Sequence, residues 1–245
     1  MLDSYNGQFF FIVYLFLRSW IIMNDVRGYI MLYLLSILSF VGFLSIMFVH
    51  YTKKNRKYYL LCKTCTSSIF VITALYTMRQ DFNLLWFLAF LLCFIGDIFL
   101  GIDEGGNKKT TNFLFGVVSF ATAHLLFIPV LWNISPFVFT DLFFPIFMSV
   151  FVFFLTKTRF MDTRGNDLAC IIYAFIVSSL LVKGIGVYRV DPSYVFLMIG
   201  TLCFFISDFI LFFQYFFIKE IRCLKFFNLL TYYAATMLLA MTTFA

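Results

Sequence analysis

Two aspartates, 111 positions apart, stand in apolar surroundings of nearly the same wording: Asp97 in FIGDIFL (94–100) and Asp208 in FISDFIL (205–211). Lys63, His124, Tyr173, Ser207 and Tyr232 also interrupt apolar runs. An ionisable group in a hydrocarbon-like setting is expensive unless paired or hydrated, so such residues are candidates for function. Two carboxyls in one poorly hydrated cavity do not titrate alike: one keeps its proton and acts as a general acid while the other stays ionised. That division of labour suits hydrolysis of an acid-labile ether or acetal, which needs a proton donor, a stabiliser for an oxocarbenium ion and an activated water. Each residue also has an architectural use. The carboxylates and Lys63 are near enough to helix ends to snorkel to water, and His124 and the hydroxyls can bond neighbouring helices. No nucleophile elbow, zincin helix or phosphate-cradling glycine loop is present.

The elements that must position these groups follow from composition. Of 245 residues, 63% are hydrophobic and only 12% charged, and the mean hydropathy is +0.97. A soluble domain is about a quarter charged, so an ordinary soluble fold, a disordered chain and a nucleic-acid-binding domain are excluded. The net charge of +6 fits basic loops meeting anionic headgroups. A bilayer core asks for roughly 20 apolar residues per helix. Runs of that kind cover 29–49, 59–77, 84–102, 112–132, 137–155, 168–186, 194–217 and 226–244. They are continuous rather than alternating, which argues against a barrel. The expected fold is an all-α, polytopic bundle of eight membrane helices, residues 29–245 forming one domain. Residues 1–28 form an extension whose run 8–23, interrupted by Arg18, reads as an interfacial or tilted helix. Asp3 and the missing small-residue cleavage site argue against a cleaved signal peptide. Cys62 and Cys65 form a lone C-x-x-C, and with only His50 and His124 as histidines, all six cysteines read as packing residues.

Loop charge sets the orientation. Twelve basic residues follow the first, third, fifth and seventh runs, against Arg27, Arg79 and Arg189 on the other side. The basic face is therefore expected to be cytoplasmic and the C-terminus exoplasmic or lumenal. The two aspartate strings, together with SFATAHLLF (119–127) and TYYAATMLL (231–239), share nearly one offset. Such a match is expected of a duplicated four-helix unit (about 29–132 and 137–245) with a parallel pseudo-two-fold axis. At about 1.5 Å rise per residue, Lys63, Asp97, Tyr173, Asp208 and Tyr232 fall within roughly 5–15 Å of the basic face, His124 somewhat deeper. A polar cavity open toward that face is the expectation.

The combination resembles the YhhN-like family of membrane lysoplasmalogenases. The resemblance rests on Lys63 early in the second span, Gly96-Asp97-Ile98-Phe99-Leu100 ending the third, and Phe113, Gly116, Phe120 and His124 in the fourth. Ser207-Asp208 in the seventh span and Thr231-Tyr232-Tyr233 in the eighth complete it, over about residues 30–245. Departures are Thr64-Cys65-Thr66 where a proline is frequent, and Phe127 where a tyrosine is common. The resemblance implies hydrolysis of the vinyl-ether bond of lysoplasmalogens to a fatty aldehyde and a glycerophospho-base, without metal or organic cofactor. It implies Asp97 and Asp208 as joint acid and base. Lys63 and His124 orient them or meet the phosphate, and Tyr173, Ser207, Tyr232 and Tyr233 position water and headgroup. The expected partners are the lysophospholipid and membrane lipids, not nucleic acid, and the expected location is the endoplasmic reticulum or another cellular membrane. A proton-coupled transporter or a non-catalytic lysolipid-binding protein would use the same intramembrane carboxylates.

Overall fold

The computed structural model describes residues 28, 30–51, 56–103, 111–219 and 221–242. The 8–23 run and nearly all of the 1–28 extension lie outside them. The chain divides into two compact units, Met1–Ile37 and Leu38–Ala245. Of the first, residues 28 and 30–37 are described and helical; the site lies wholly in the second.

Among the described residues, eight helices are long and apolar enough to cross a membrane. They are α1 (Ile30–Tyr51), α2 (Arg56–Thr77), α3 (Leu84–Asp103), α4 (Thr111–Trp132), α5 (Phe143–Thr156), α6 (Asp167–Val190), α7 (Val195–Phe216) and α8 (Arg222–Ala240). The chain is a multi-pass membrane protein, and its fold is the all-α bundle that the hydropathy pattern predicts. Large apolar side chains such as Phe40, Phe147, Phe154 and Phe196 cover the outside, where lipid replaces water as solvent.

Helix α5 departs from its predicted range, 137–155. A 3-10 turn (Phe139–Leu142) comes first and the α-helix starts at Phe143. The cause is polar. Asp141 accepts a hydrogen bond from the Val138 backbone N–H at 3.0 Å and pairs with the buried Lys183 Nζ at 2.5 Å. Lys183 also donates to the carbonyls of Ser135 and Pro136 at 3.2 and 3.0 Å. One ammonium thus serves two carbonyls of the α4–α5 loop, and α6 continues past it to Val190.

Each helix packs mainly on its chain neighbour: α2 on α3, α3 on α4, α5 on α6, α6 on α7 and α7 on α8. Two further contacts, α4 with α6 and α2 with α8, close the bundle. Glycine sets the α3–α4 spacing. A Cβ on Gly96 would stand 2.7 Å from the Phe120 ring, and one on Gly116 2.8 Å from Leu100. The small residues admit a close approach of the two helices, as is usual for helix pairs in lipid. Toward the α2–α3 loop the interior is aromatic: Trp86, Phe90 and Phe127, all but fully buried, have ring centroids 4.6 to 5.9 Å apart.

Candidate active site

Asp97 and Asp208 lie in the half of the bundle nearer the basic loops, each gripped by side chains from two other helices. Asp97 is 1% exposed. Its Oδ1 faces the Lys63 Nζ at 3.1 Å. Its Oδ2 accepts from the Ser67 hydroxyl at 2.5 Å and from the Tyr232 hydroxyl at 2.7 Å. Asp97 thus has a countercharge and two hydrogen-bond donors, the partners that a carboxylate out of water requires.

Asp208 is held differently. Its Oδ2 accepts from the Tyr173 hydroxyl at 3.0 Å and lies 3.2 Å from His124 Nε2, in ion-pair contact without the alignment of a full hydrogen bond. The other ring nitrogen, Nδ1, is 2.6 Å from the Phe120 carbonyl. A carbonyl can only accept, so Nδ1 carries a hydrogen and the second imidazole position, Nε2, faces the carboxyl. The imidazole edge that meets Asp208 is thus Nε2, while Asp97 is met by an ammonium. The His124 ring is wedged by Phe204, centroids 4.5 Å apart.

The two carboxylates border one small chamber of about 20 Å³, with Lys63, Ser207, Asn228 and Tyr232 among its other walls. Asp208 also lines a second cavity of about 460 Å³ between α4, α5, α6 and α7, whose walls include Leu114, Val152, Val177 and Phe212. Thr111, Arg164 and Asn166 rim this larger cavity at the basic-loop end. The α5–α6 loop beside that rim is fastened to the end of α7, Asp162 N–H donating to the Phe216 carbonyl and Ile218 N–H to that of Phe160 at 2.8 and 3.0 Å. Arg164 there adopts a left-handed backbone, φ 55°.

The profile of the YhhN family matches residues 58–243. The chain belongs to the YhhN family. No curated protein and no solved structure matches it. The region shared with the YhhN profile holds α2 to α8 and so every residue singled out from the sequence. Of these, Lys63, Asp97 and Tyr232 meet in one cluster, and His124, Tyr173 and Asp208 in the other. Ser207 touches neither carboxylate. It is locked to α8, where Asn228 Nδ2 donates to the Ser207 carbonyl at 2.8 Å and to its hydroxyl at 3.1 Å. The Tyr233 hydroxyl lies 3.4 Å from that of Ser67, and its ring packs edge-on against Tyr232. Phe127, the departure from the resemblance noted above, sits in the apolar aromatic group with Trp86 and Phe90.

Sequence reading missed Ser67 and Asn228. Ser67 is four residues after Lys63, and Asn228 four before Tyr232. That spacing stacks them on the faces that carry the named residues. It was the available signal.

Proposed function

We propose that this YhhN-family protein hydrolyses the vinyl-ether bond of lysoplasmalogens within the membrane. The reading is carried by the place of Asp208. Asp208 stands between an apolar cavity, suited to one alkenyl chain, and a small chamber that Asp97 also borders. The lysolipid enters with its chain among α4 to α7 and its polar end toward Arg164 and Asn166. A proton held between Asp208 and His124 passes to the β-carbon of the vinyl ether, leaving an oxocarbenium ion beside Asp208, with Asp97 across the small chamber. Water adds to the cationic carbon and its proton returns to Asp208; the hemiacetal then breaks its bond to the glycerol oxygen, which takes up a proton from Asp208 as the hemiacetal hydroxyl gives its own back. The products are a fatty aldehyde and a glycerophospho-base. Tyr173 keeps the Asp208 carboxyl turned toward His124, and Lys63, Ser67 and Tyr232 keep Asp97 charged.

The test is mass spectrometry of 1-alkenyl lysophosphoethanolamine incubated with the purified full-length protein. Aldehyde and glycerophosphoethanolamine appear with the native chain, and Asp208→Asn and Asp97→Asn abolish both while the protein still folds. Intact lipid after incubation with native protein would turn the reading toward a lysolipid binder. Transfer of intact lipid across a vesicle wall would favour a transporter.

A further inference from the structure

The chamber between the carboxylates has the dimensions of a site for one water molecule and polar side chains on its border. A cavity needs about 10–15 Å³ and two to four polar partners to hold a water. This one measures about 20 Å³; Asp97, Asp208, Ser207, Asn228, Tyr232 and Lys63 border it, and Leu100, Phe120, Leu211 and Leu229 make the rest of its lining apolar. Leu211 and Asp208 line both it and the larger cavity, so whatever occupies the chamber adjoins the substrate cavity across the Asp208 carboxyl. The Ser207–Asn228 lock builds the wall: Asn228 Nδ2 donates twice to Ser207, and the Ser207 hydroxyl lies 3.3 Å from the Asn228 carbonyl. Among the described residues neither is hydrogen-bonded to a carboxylate; their bonds join α7 to α8 at the border of the chamber.

We propose that this chamber is the seat of the hydrolytic water, and that Ser207 and Asn228 are positioning residues that fix it there. The inference rests on the hydrolase reading above and adds a reason why such a seat is needed. Once the vinyl ether is protonated, two nucleophiles compete for the oxocarbenium carbon. Water adds its oxygen, loses a proton to Asp208 and leads to aldehyde. The free sn-2 hydroxyl of the same lysolipid adds instead, loses its proton to the same carboxylate and closes a five-membered cyclic acetal. That acetal is an isomer of the substrate, with nothing gained or lost. A well-oriented intramolecular nucleophile has an effective molarity on the order of 10⁵ M or more, far above the concentration of bulk water. Aldehyde formation therefore requires a water already in place on the opposite side of the cation from the sn-2 hydroxyl. A walled chamber next to Asp208 supplies it.

The experiment measures the ratio of cyclic acetal to aldehyde by chromatography and NMR, using full-length protein in vesicles with 1-alkenyl lysophosphoethanolamine. Three variants change the chamber by different means. Asn228→Leu removes the lock, Ser207→Ala removes a wall hydroxyl at little steric cost, and Leu229→Phe adds bulk at the chamber edge. Each is expected to raise the acetal fraction at least tenfold over the native protein, Asn228→Leu and Leu229→Phe most. A defect of folding alone lowers total turnover and leaves the ratio unchanged. An unchanged ratio in the variants that still consume lipid, or lost consumption with no acetal from folded protein, overturns the inference. If the native protein releases no aldehyde at all, the hydrolase reading itself fails, which is a separate result.

Discussion

Lys63 and Asp97 offer the sharpest separation of structure from chemistry. Their side chains are 6% and 2% exposed and 3.1 Å apart. In Lys63→Met the carboxylate keeps Ser67 and Tyr232 but loses the countercharge that Lys63 supplies. Both of those hydrogen bonds exist in the native protein too, so they do not offset the loss. Removing one partner of a buried pair costs about 3–5 kcal/mol. Asp97→Asn strands the lysine instead and carries a cost of the same order. The double variant Lys63→Met/Asp97→Asn has neither buried charge, so its destabilisation falls short of the sum by at least about 2 kcal/mol. Reversible unfolding in mild detergent, followed by fluorescence of the buried Trp86, measures all four corners of the cycle. Under the reading above, the double variant recovers stability but no aldehyde release, because the charge of Asp97 is still missing. A Lys63→Met protein within about 0.5 kcal/mol of native, or a strictly additive double variant, refutes the pairing. A fully active double variant removes the pair from the reaction.

Other expectations follow from particular contacts. Tyr232→Phe deletes a 2.7 Å donor to the charged Asp97, a bond worth about 1.5–3 kcal/mol; turnover drops more than tenfold, whereas Tyr233→Phe, which loses a 3.4 Å contact to Ser67, changes it far less. Paired kinetic measurements on the two variants check this. Val177→Phe fills part of the 460 Å³ cavity, and competition between chain lengths shows a shift of preference toward shorter alkenyl chains. Gly116→Val drives a side chain into Leu100 and lowers stability by about 1–3 kcal/mol or more, read as a lower thermal midpoint without a change in chain preference.

Much of this was legible before any coordinates. The eight spans follow from hydropathy because the bilayer imposes one length on every crossing. The two aspartates stand out because acids among phenylalanines have to be held by something. Their holders were harder to read. Serine and threonine in these helices commonly bond the carbonyl one turn back, as Thr66 and Ser68 do toward Cys62 and Thr64. Only its place one turn after Lys63 marks Ser67, between them, as the one that reaches Asp97. The adjacent tyrosines 232 and 233 differ by 100° around α8, and only the angle at which α8 meets α3 decides which of them touches the acid. The 3-10 turn before α5 was hidden for a similar reason, since its cause is Lys183, more than forty residues away. The sequence match between the aspartate strings has a counterpart in the contacts. Asp97 on α3 takes donors from α2 and α8, and Asp208 on α7 is met from α6 and α4, the pattern that a duplicated four-helix unit would produce.

The edge-to-face Trp86, Phe90 and Phe127 have a bearing on traffic. They stand behind Asp97 like a bulkhead, roughly 10 Å further from the basic loops at the rise of a helix; under the hydrolase reading, lipid and protons are expected to arrive and depart at the basic-loop end. A sealed proteoliposome should then respond to acidity on one side only. Under the hydrolase reading, the two halves of the cleaved lipid part company where the intact one came in: the glycerophospho-base dissolves into the adjoining water, and the aldehyde stays behind in the leaflet that supplied it.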